Sequence, residues 1–418
     1  MESVSNIGWA KMEEQSGWAK MEEQSEFVID IVRSLEKLEP PVSNDCCIYR
    51  VPHNLREAMN ENAYTPHAVS IGPLHHGRKE LEIMEKQKLR YLGEFIRHIR
   101  FDFDHAVWII KDMEDSICYA ETIPLDSNEF VKMILTDAAF IIIHFVKCKS
   151  ISNQQDEFLY RNSCLLSSIC RDLMLLENQL PLFVLEKLYQ YYLYVSQGLD
   201  PAAVSSFQEL TCNFFEDVFY RNKLIPEHFP ENVNHFTDLL RSFHLPSNFS
   251  PPSTQRNKLL YSASQLYEAG VTIKARSREC LLGCEFISNN AELQIPPLEL
   301  NNLTTCLLQN LMALELCHYP GKTYICDYIS LMGYLMETSK DVDFLVQKKI
   351  LDNGLGDSNE VVTFVKKLGT HIAVDRRFNC FTSLFSGLNR HCEDHWLRQT
   401  TWQKWLTIIK VMAENTQS

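Results

Sequence analysis

Long apolar runs are missing from this sequence. No window holds 18 apolar residues free of charge, so no segment is expected to cross a bilayer as a helix. The longest stretches, "AAFIIIHFV" (138–146) and "WLTIIKVMA" (405–413), are too short. Glycine is scarce, at 14 of 418 residues. There is no P-loop, no GxGxxG behind a strand and no GxSxG elbow, which argues against a nucleotide-binding loop architecture. Basic charge is also short, with 40 Lys and Arg against 54 Asp and Glu. The net charge of -14 disfavours nonspecific nucleic-acid binding and gives no general attraction to anionic lipid. The N-terminus has no basic segment leading into an apolar run, so no signal peptide is expected. None of the 14 cysteines forms CxxC. Cys46 and Cys47 are adjacent and Cys280 and Cys284 are four apart. The expectation is reduced thiols acting as small apolar residues in a cytosolic protein.

What is present is ordinary globular composition, 45% hydrophobic and 22% charged, on a chain long enough to bury a large core. The nonapeptide GWAKMEEQS occurs at Gly8–Ser16 and again at Gly17–Ser25. It reads as an acidic, partly disordered leader, or as a short docking peptide anchored by Trp9 and Trp18. "EFVIDIVRSLEKL" (26–38) has helical spacing, and "EPPVSND" ends it. "CCIYRVP" reads as extended. A helix is expected over 80–100, with Leu89, Leu92, Ile96 and Ile99 inward and Lys86, Lys88 and Arg90 solvated. Ser127 can cap another helix running to Val146. From Ser163 to Val195 a leucine stripe predicts one helix, kinked at Pro181, where proline removes a helical hydrogen bond. "HLPSNFSPPSTQRN" (244–257) is the best internal linker. Beyond it "VTIKA", "CLLGCEFI" and "AELQIPPLEL" read as short strands, followed by helices. The expected fold is mainly α-helical with a small β element near the middle. The expected divisions are a leader (1–44), a helical part (45–243), the linker (244–257), strands then helices (258–370) and a helical tail (371–418).

Five ordered blocks carry a resemblance. "IYRVPHNLREAMNENAYTPHAVSIGPLHHGRKELEIMEKQKLRYL" (48–92) is similar to the opening signature of the plant domain-of-unknown-function 247 family. "RDLMLLENQLPLFVLEKLY" (171–189) is similar to its central signature. "LYEAGVTIKA", "LQIPPLEL" and "LLQNLMALELC" resemble its later blocks, so the resemblance covers roughly 46–370. It implies a plant-specific, mostly helical protein with no established general reaction. Many members end in a membrane-anchoring segment, and some grass members are associated with pollen–stigma self-incompatibility, which suggests recognition and signalling. Three departures stand out: Ala138 where the family usually has Gly, "HFTDLLRSF" around His235, and Lys404 and Lys410 inside the final apolar stretch. The last predicts that the usual C-terminal anchor is missing.

The run Asn62–Gly77, "NAYTPHAVSIGPLHHG", places a buriable strand between Pro66 and Pro73 and three histidines around it. His75 and His76 point in opposite directions on an extended chain and cannot easily share a metal. The histidines either dock a stiff corner onto the core or line a pocket. Glu177, Asn178 and Gln179 pose the same choice: a buried network at the kink, or a pocket. If the two signatures meet, a Glu–His pair is the minimum equipment for proton transfer. The catalytic candidates are therefore His76 and Glu177, and the ligand-binding candidates His67, His75, His76, Glu177, Asn178 and Gln179. "RHCEDHW" spaces His391 and His395 four apart but offers no third ligand, so no metal and no cofactor are expected. The functional expectation is protein recognition or signalling through an unknown protein partner, cytoplasmic or peripheral to the plasma membrane, with weak or no membrane association. The alternative is an enzyme or small-molecule binder of plant specialised metabolism using a His/Glu pocket.

Overall fold

The computed structural model describes residues 28–33, 46–117, 119–149, 159–198, 206–215, 232–245, 258–276, 280–372 and 379–415. The chain divides into two units, 1–44 and 45–418. In the first, residues 28–33 are helical and exposed. The duplicated nonapeptide lies outside the described residues, as do 246–257 of the expected linker.

The second unit is mostly helical. Its first half holds α1 (His53–Met59), α2 (Glu82–His98), α3 (Phe103–Met113), α4 (Ser127–Lys149), α5 (Ser163–Asp172), α6 (Leu182–Gln197), α7 (Phe207–Phe214) and α8 (Phe236–Phe243). Then come α9 (Ala263–Glu268), β1 (Thr272–Ala275), β2 (Glu285–Ile287), β3 (Glu292–Ile295) and β4 (Leu298–Leu300). The last part holds α10 (Asn302–His318), α11 (Tyr324–Leu335), α12 (Ser339–Gln347), β5 (Leu351–Asn353), α13 (Ser358–Ile372) and α14 (Thr382–Asn415). The small β element sits where the sequence places it. β3 pairs parallel with β1 and antiparallel with β2, and β4 pairs parallel with β5. Among the described residues, no helix is long and apolar enough to cross a membrane.

The core forms around α4, which is buried all round from Met133 to Phe145 because most of its residues, on every face, are apolar. Helices α2, α3, α6 and α7 pack against it. Phe145 stacks on Phe214 at 4.2 Å between ring centroids. The buried helix α10 packs on α8 and α11, and α13 covers α11 and α12. Residues on both sides of 246–257 belong to one continuous hydrophobic cluster.

Three expectations need correction. The inward face of α2 is Met84, Lys88, Tyr91 and Phe95, while Leu89 is exposed. Lys88 turns inward because an ion pair waits for it, as described below. The kinked helix over 163–195 is two helices, α5 and α6. The residues between them, 173–181, are buried but not helical, because the Asn178 and Gln179 side chains bond the backbone carbonyls there in place of a further helical turn. Twelve described cysteines are free thiols, but Cys46 is disulfide-bonded.

Burial also leaves a pH signature. His144 is fully enclosed, its Nδ1 3.2 Å from the Tyr160 hydroxyl. Burial, with help from Lys147, lowers its pKa to about 3, and burial lowers that of His235 to about 4. Below the ordinary 6.5 the unfolded chain therefore binds more protons than the folded one, so both residues withdraw stability as pH falls. Replacing His144 by Phe removes one such proton. Unfolding free energy plotted from about pH 6 down to about pH 4 should become shallower by about 1.4 kcal/mol per pH unit. An unchanged slope would show that His144 is already charged inside the fold.

Candidate functional site

The segment between Pro66 and Pro73 runs through the interior, with Val69 and Ile71 at 0% and 1% exposure. Buried backbone groups must be paired, yet the strand expected over "AVSIG" does not form: among the described residues the segment joins no sheet. Side chains take the partner's place. One oxygen of Asp172, at the end of α5, accepts from the backbone N–H groups of His67, Ala68 and Val69 at 2.9, 2.6 and 3.0 Å. Asn178 accepts from Ile71 N at 2.7 Å and donates to Val69 O at 3.0 Å. Asp137, on α4, accepts from Gly72 N at 2.8 Å. Lys88 donates to Ser70 O at 2.8 Å and to Asp137 at 2.6 Å, with Glu85 at 2.7 Å. The Asp137 and Glu85 carboxylates outweigh burial and raise the Lys88 pKa, so the buried amine stays charged.

Residues 173–181, the middle of the central signature, stay non-helical for a related reason. Where α5 ends, its last carbonyls need donors. Asn178 Nδ2 reaches Asp172 O at 3.0 Å, and Gln179 Nε2 reaches Leu173 O and Leu175 O, both at 2.7 Å. Gln179 Oε1 also accepts from Phe236 N at 3.0 Å, tying the segment to the start of α8. Asn310 of α10 accepts from Leu176 N at 2.9 Å and donates to Ala63 O at 2.8 Å.

Glu177 does meet a histidine. Its Oε2 lies 3.3 Å from His75 Nε2, and both side chains are fully enclosed. The contact is close but not aligned as a hydrogen bond, and His75 Nδ1 has no hydrogen-bond partner. Oε1 accepts from Val51 N at 2.7 Å and from the Arg56 guanidinium. Arg50 stands 3.8 Å from Oε2. Burial pushes the Glu177 carboxyl up, but His75, Arg56 and the Val51 N–H together hold it below its ordinary value. A buried anion with this many partners orders the chain around it.

The two signatures therefore meet, and His75, Glu177, Asn178 and Gln179 come together. His67 and His76 do not join them. Both are exposed, and no ion pair or hydrogen bond links His76 to Glu177. Four residues escape sequence reasoning: Asp172, Asp137, Lys88 and Asn310. The lone acid in "LTDAAFIII" is the one visible signal, because an unpaired carboxylate inside an apolar helix demands a partner. In the tail, His391 Nε2 is 3.2 Å from Ala269 O, and His395 pairs with Gln399 at 2.8 Å. Among the described residues, no three His, Cys, Asp or Glu side chains are grouped to hold a metal.

Open cavities lined by described residues include these two. One, of about 580 Å³, runs along α14 beside Trp396 and Leu397. The other, of about 450 Å³, lies between the turn around Asn62, α5 and α10. Glu177 faces neither.

The model of a family described as "Plant protein of unknown function", DUF247, matches residues 48–415. The UPF0481 protein At3g47200 of Arabidopsis thaliana is 28% identical over 385 residues, covering 85% of this chain and 79% of the relative. The putative UPF0481 protein At3g02645 of the same plant is 23% identical over 409 residues, covering 75% and 76%. No solved structure matches. With a matched span that runs from the clasped segment through the tail helix, this chain belongs to the DUF247 family of plant proteins.

Proposed function

We propose that this protein is a non-catalytic recognition module whose two signatures build the scaffold and whose partner, a protein, meets the outer surface. The carrying observation is that Glu177, Asn178 and Gln179 are at most 1% exposed and are bonded chiefly to backbone. Catalytic carboxylates and amides need access to substrate. The runner-up, a His76–Glu177 pocket, has the weaker support, since His76 lies outside and Glu177 inside.

The surface that suits a partner is an aromatic knuckle where α2 turns into α3. Arg100 and Phe101 take left-handed backbone, φ 53° and 63°, at a position where glycine is usual. That strain, costing about 1–2 kcal/mol per residue, presents Phe101 at 74% exposure. Trp108 on α3 is 57% exposed and Tyr194 on α6 66%. His105 lies between Trp108 and Tyr191, at 5.4 and 4.8 Å, and the Tyr191 hydroxyl donates to Asp102 O at 3.1 Å. Exposed Trp and Tyr clusters dominate binding energy at protein interfaces.

Phe101→Gly is the discriminating variant. It relieves the left-handed strain, so stability should hold or rise by up to about 1 kcal/mol. Together with Trp108→Ala it should strip partners that wild type and His76→Ala both retain from plant extract, read by quantitative pull-down. The opposite pattern, binding lost in His76→Ala and kept in the surface variant, would reject the proposal.

A further inference from the structure

The 450 Å³ cavity between the Asn62 turn, α5 and α10 is lined mostly by polar residues. Its polar groups are amides and hydroxyls, with one imidazole and one guanidinium. Gln309 is the telling residue. It is only 7% exposed, yet among the described residues its side-chain amide has no hydrogen-bond partner. Amides this little exposed are mostly paired, so this one, on the cavity lining, is free to bond an occupant.

The chemistry of the lining narrows the occupant. No Asp or Glu lines the cavity, which removes the charge a cation needs. The single guanidinium, Arg171, is already matched. It donates to Asp172 Oδ1 at 2.8 Å, to Thr65 O at 3.2 Å and to Asn62 O. An anion would find no free counter-charge there. His67, on the rim, has its pKa lowered first by burial and then by Arg171, which favours a neutral ring. No aromatic side chain lines the cavity, so a flat ring has nothing to stack on. What remains is Gln309 with Asn62, Asn302, Ser167 and Thr305, groups that each donate and accept. Vicinal hydroxyls do the same. The volume falls in the range of small-molecule sites, which runs from about 300 to 1,000 Å³.

We propose that this cavity binds a small, neutral, polyhydroxylated ligand of sugar or cyclitol size, with the Gln309 amide as its buried anchor. The site is separate from the aromatic knuckle and stands without the recognition reading.

The test uses the full chain and saturation-transfer NMR with glucose, sucrose and myo-inositol. Thermal shift is unsuitable, because sugars stabilise proteins nonspecifically by exclusion. At least one polyol should give saturation transfer and titrate with a Kd in the millimolar range or tighter, about 1 mM. Gln309→Met is nearly isosteric and breaks no internal hydrogen bond, so it should fold as wild type and weaken binding at least about tenfold. Ser167→Trp, at an exposed helical position, should abolish binding by filling the rim. Three results would overturn the proposal: no transfer from any polyol, equal binding by Gln309→Met or Ser167→Trp, or a response to phosphate or citrate in place of the polyols.

Discussion

Glu177→Ala should cost about 3–5 kcal/mol of folding stability, the range for breaking a buried charge pair from one side. The substitution leaves Arg56 and the Val51 N–H without their acceptor, and leaves His75 facing an apolar methyl. Arg56 is only 14% exposed in its side chain, so water offers it little relief. Glu177→Gln keeps one carbonyl oxygen for the Val51 N–H but turns an amide donor toward other donors. Its loss should be real but smaller than that of Ala. The effect has a pH dependence of known sign. The folded-state pKa lies below the ordinary 4.5, so the stabilisation is complete above that value and fades as pH falls through the folded pKa. Denaturant unfolding followed by circular dichroism should show a wide gap between wild type and Glu177→Ala at neutral pH, narrowing in acid below about pH 4.5. A variant as stable as wild type at neutral pH would mean that Glu177 is held for chemistry and not for the scaffold.

Gly72→Ala should be nearly as damaging, through backbone and not charge. Gly72 has φ 72° and ψ -176°, a region open almost only to glycine. A Cβ there would sit 2.5 Å from the Gln179 carbonyl oxygen and 3.0 Å from the Tyr119 hydroxyl. The Gln179 oxygen cannot yield, because its own side chain and the Tyr119 hydroxyl hold that segment in place. Strain and clash together predict a loss of at least about 3 kcal/mol. Gly77→Ala is the control. Gly77 has φ 77° but nothing within 4 Å of an added Cβ, so it should lose only about 1–2 kcal/mol of left-handed strain. Similar melting of the two variants would show that the close crossing at Gln179 does not exist in solution.

Much of the fold is legible in the sequence because helical periodicity and apolar runs are local signals. The helices over 82–98 and 127–149 and the short strands around 272–300 sit where pattern places them. The meeting of the two signatures is not local. The bond from Val51 to Glu177 spans 126 positions and that from His67 to Asp172 spans 105. Nothing in either segment announces the other. The same gap explains why Lys88 reads as solvated. Lysine is rarely buried, and only the positions of Asp137 and Glu85 make its burial favourable. The stripe over 163–180 reads as a helix face because burial on one side and burial on all sides leave the same leucines.

By itself, the sequence determined the helical class, the small β element and the family, and left its two polar motifs open between a buried network and a pocket. Tertiary structure alone decided that His75 and not His76 meets Glu177, and that side chains stand in for a strand partner along 67–72. It also decided that the Gln309 amide faces open space. The physical reason is one of range. Burial is written residue by residue in apolar pattern, whereas a hydrogen bond needs two groups within about 3 Å in the right direction. Only the folded chain sets that distance.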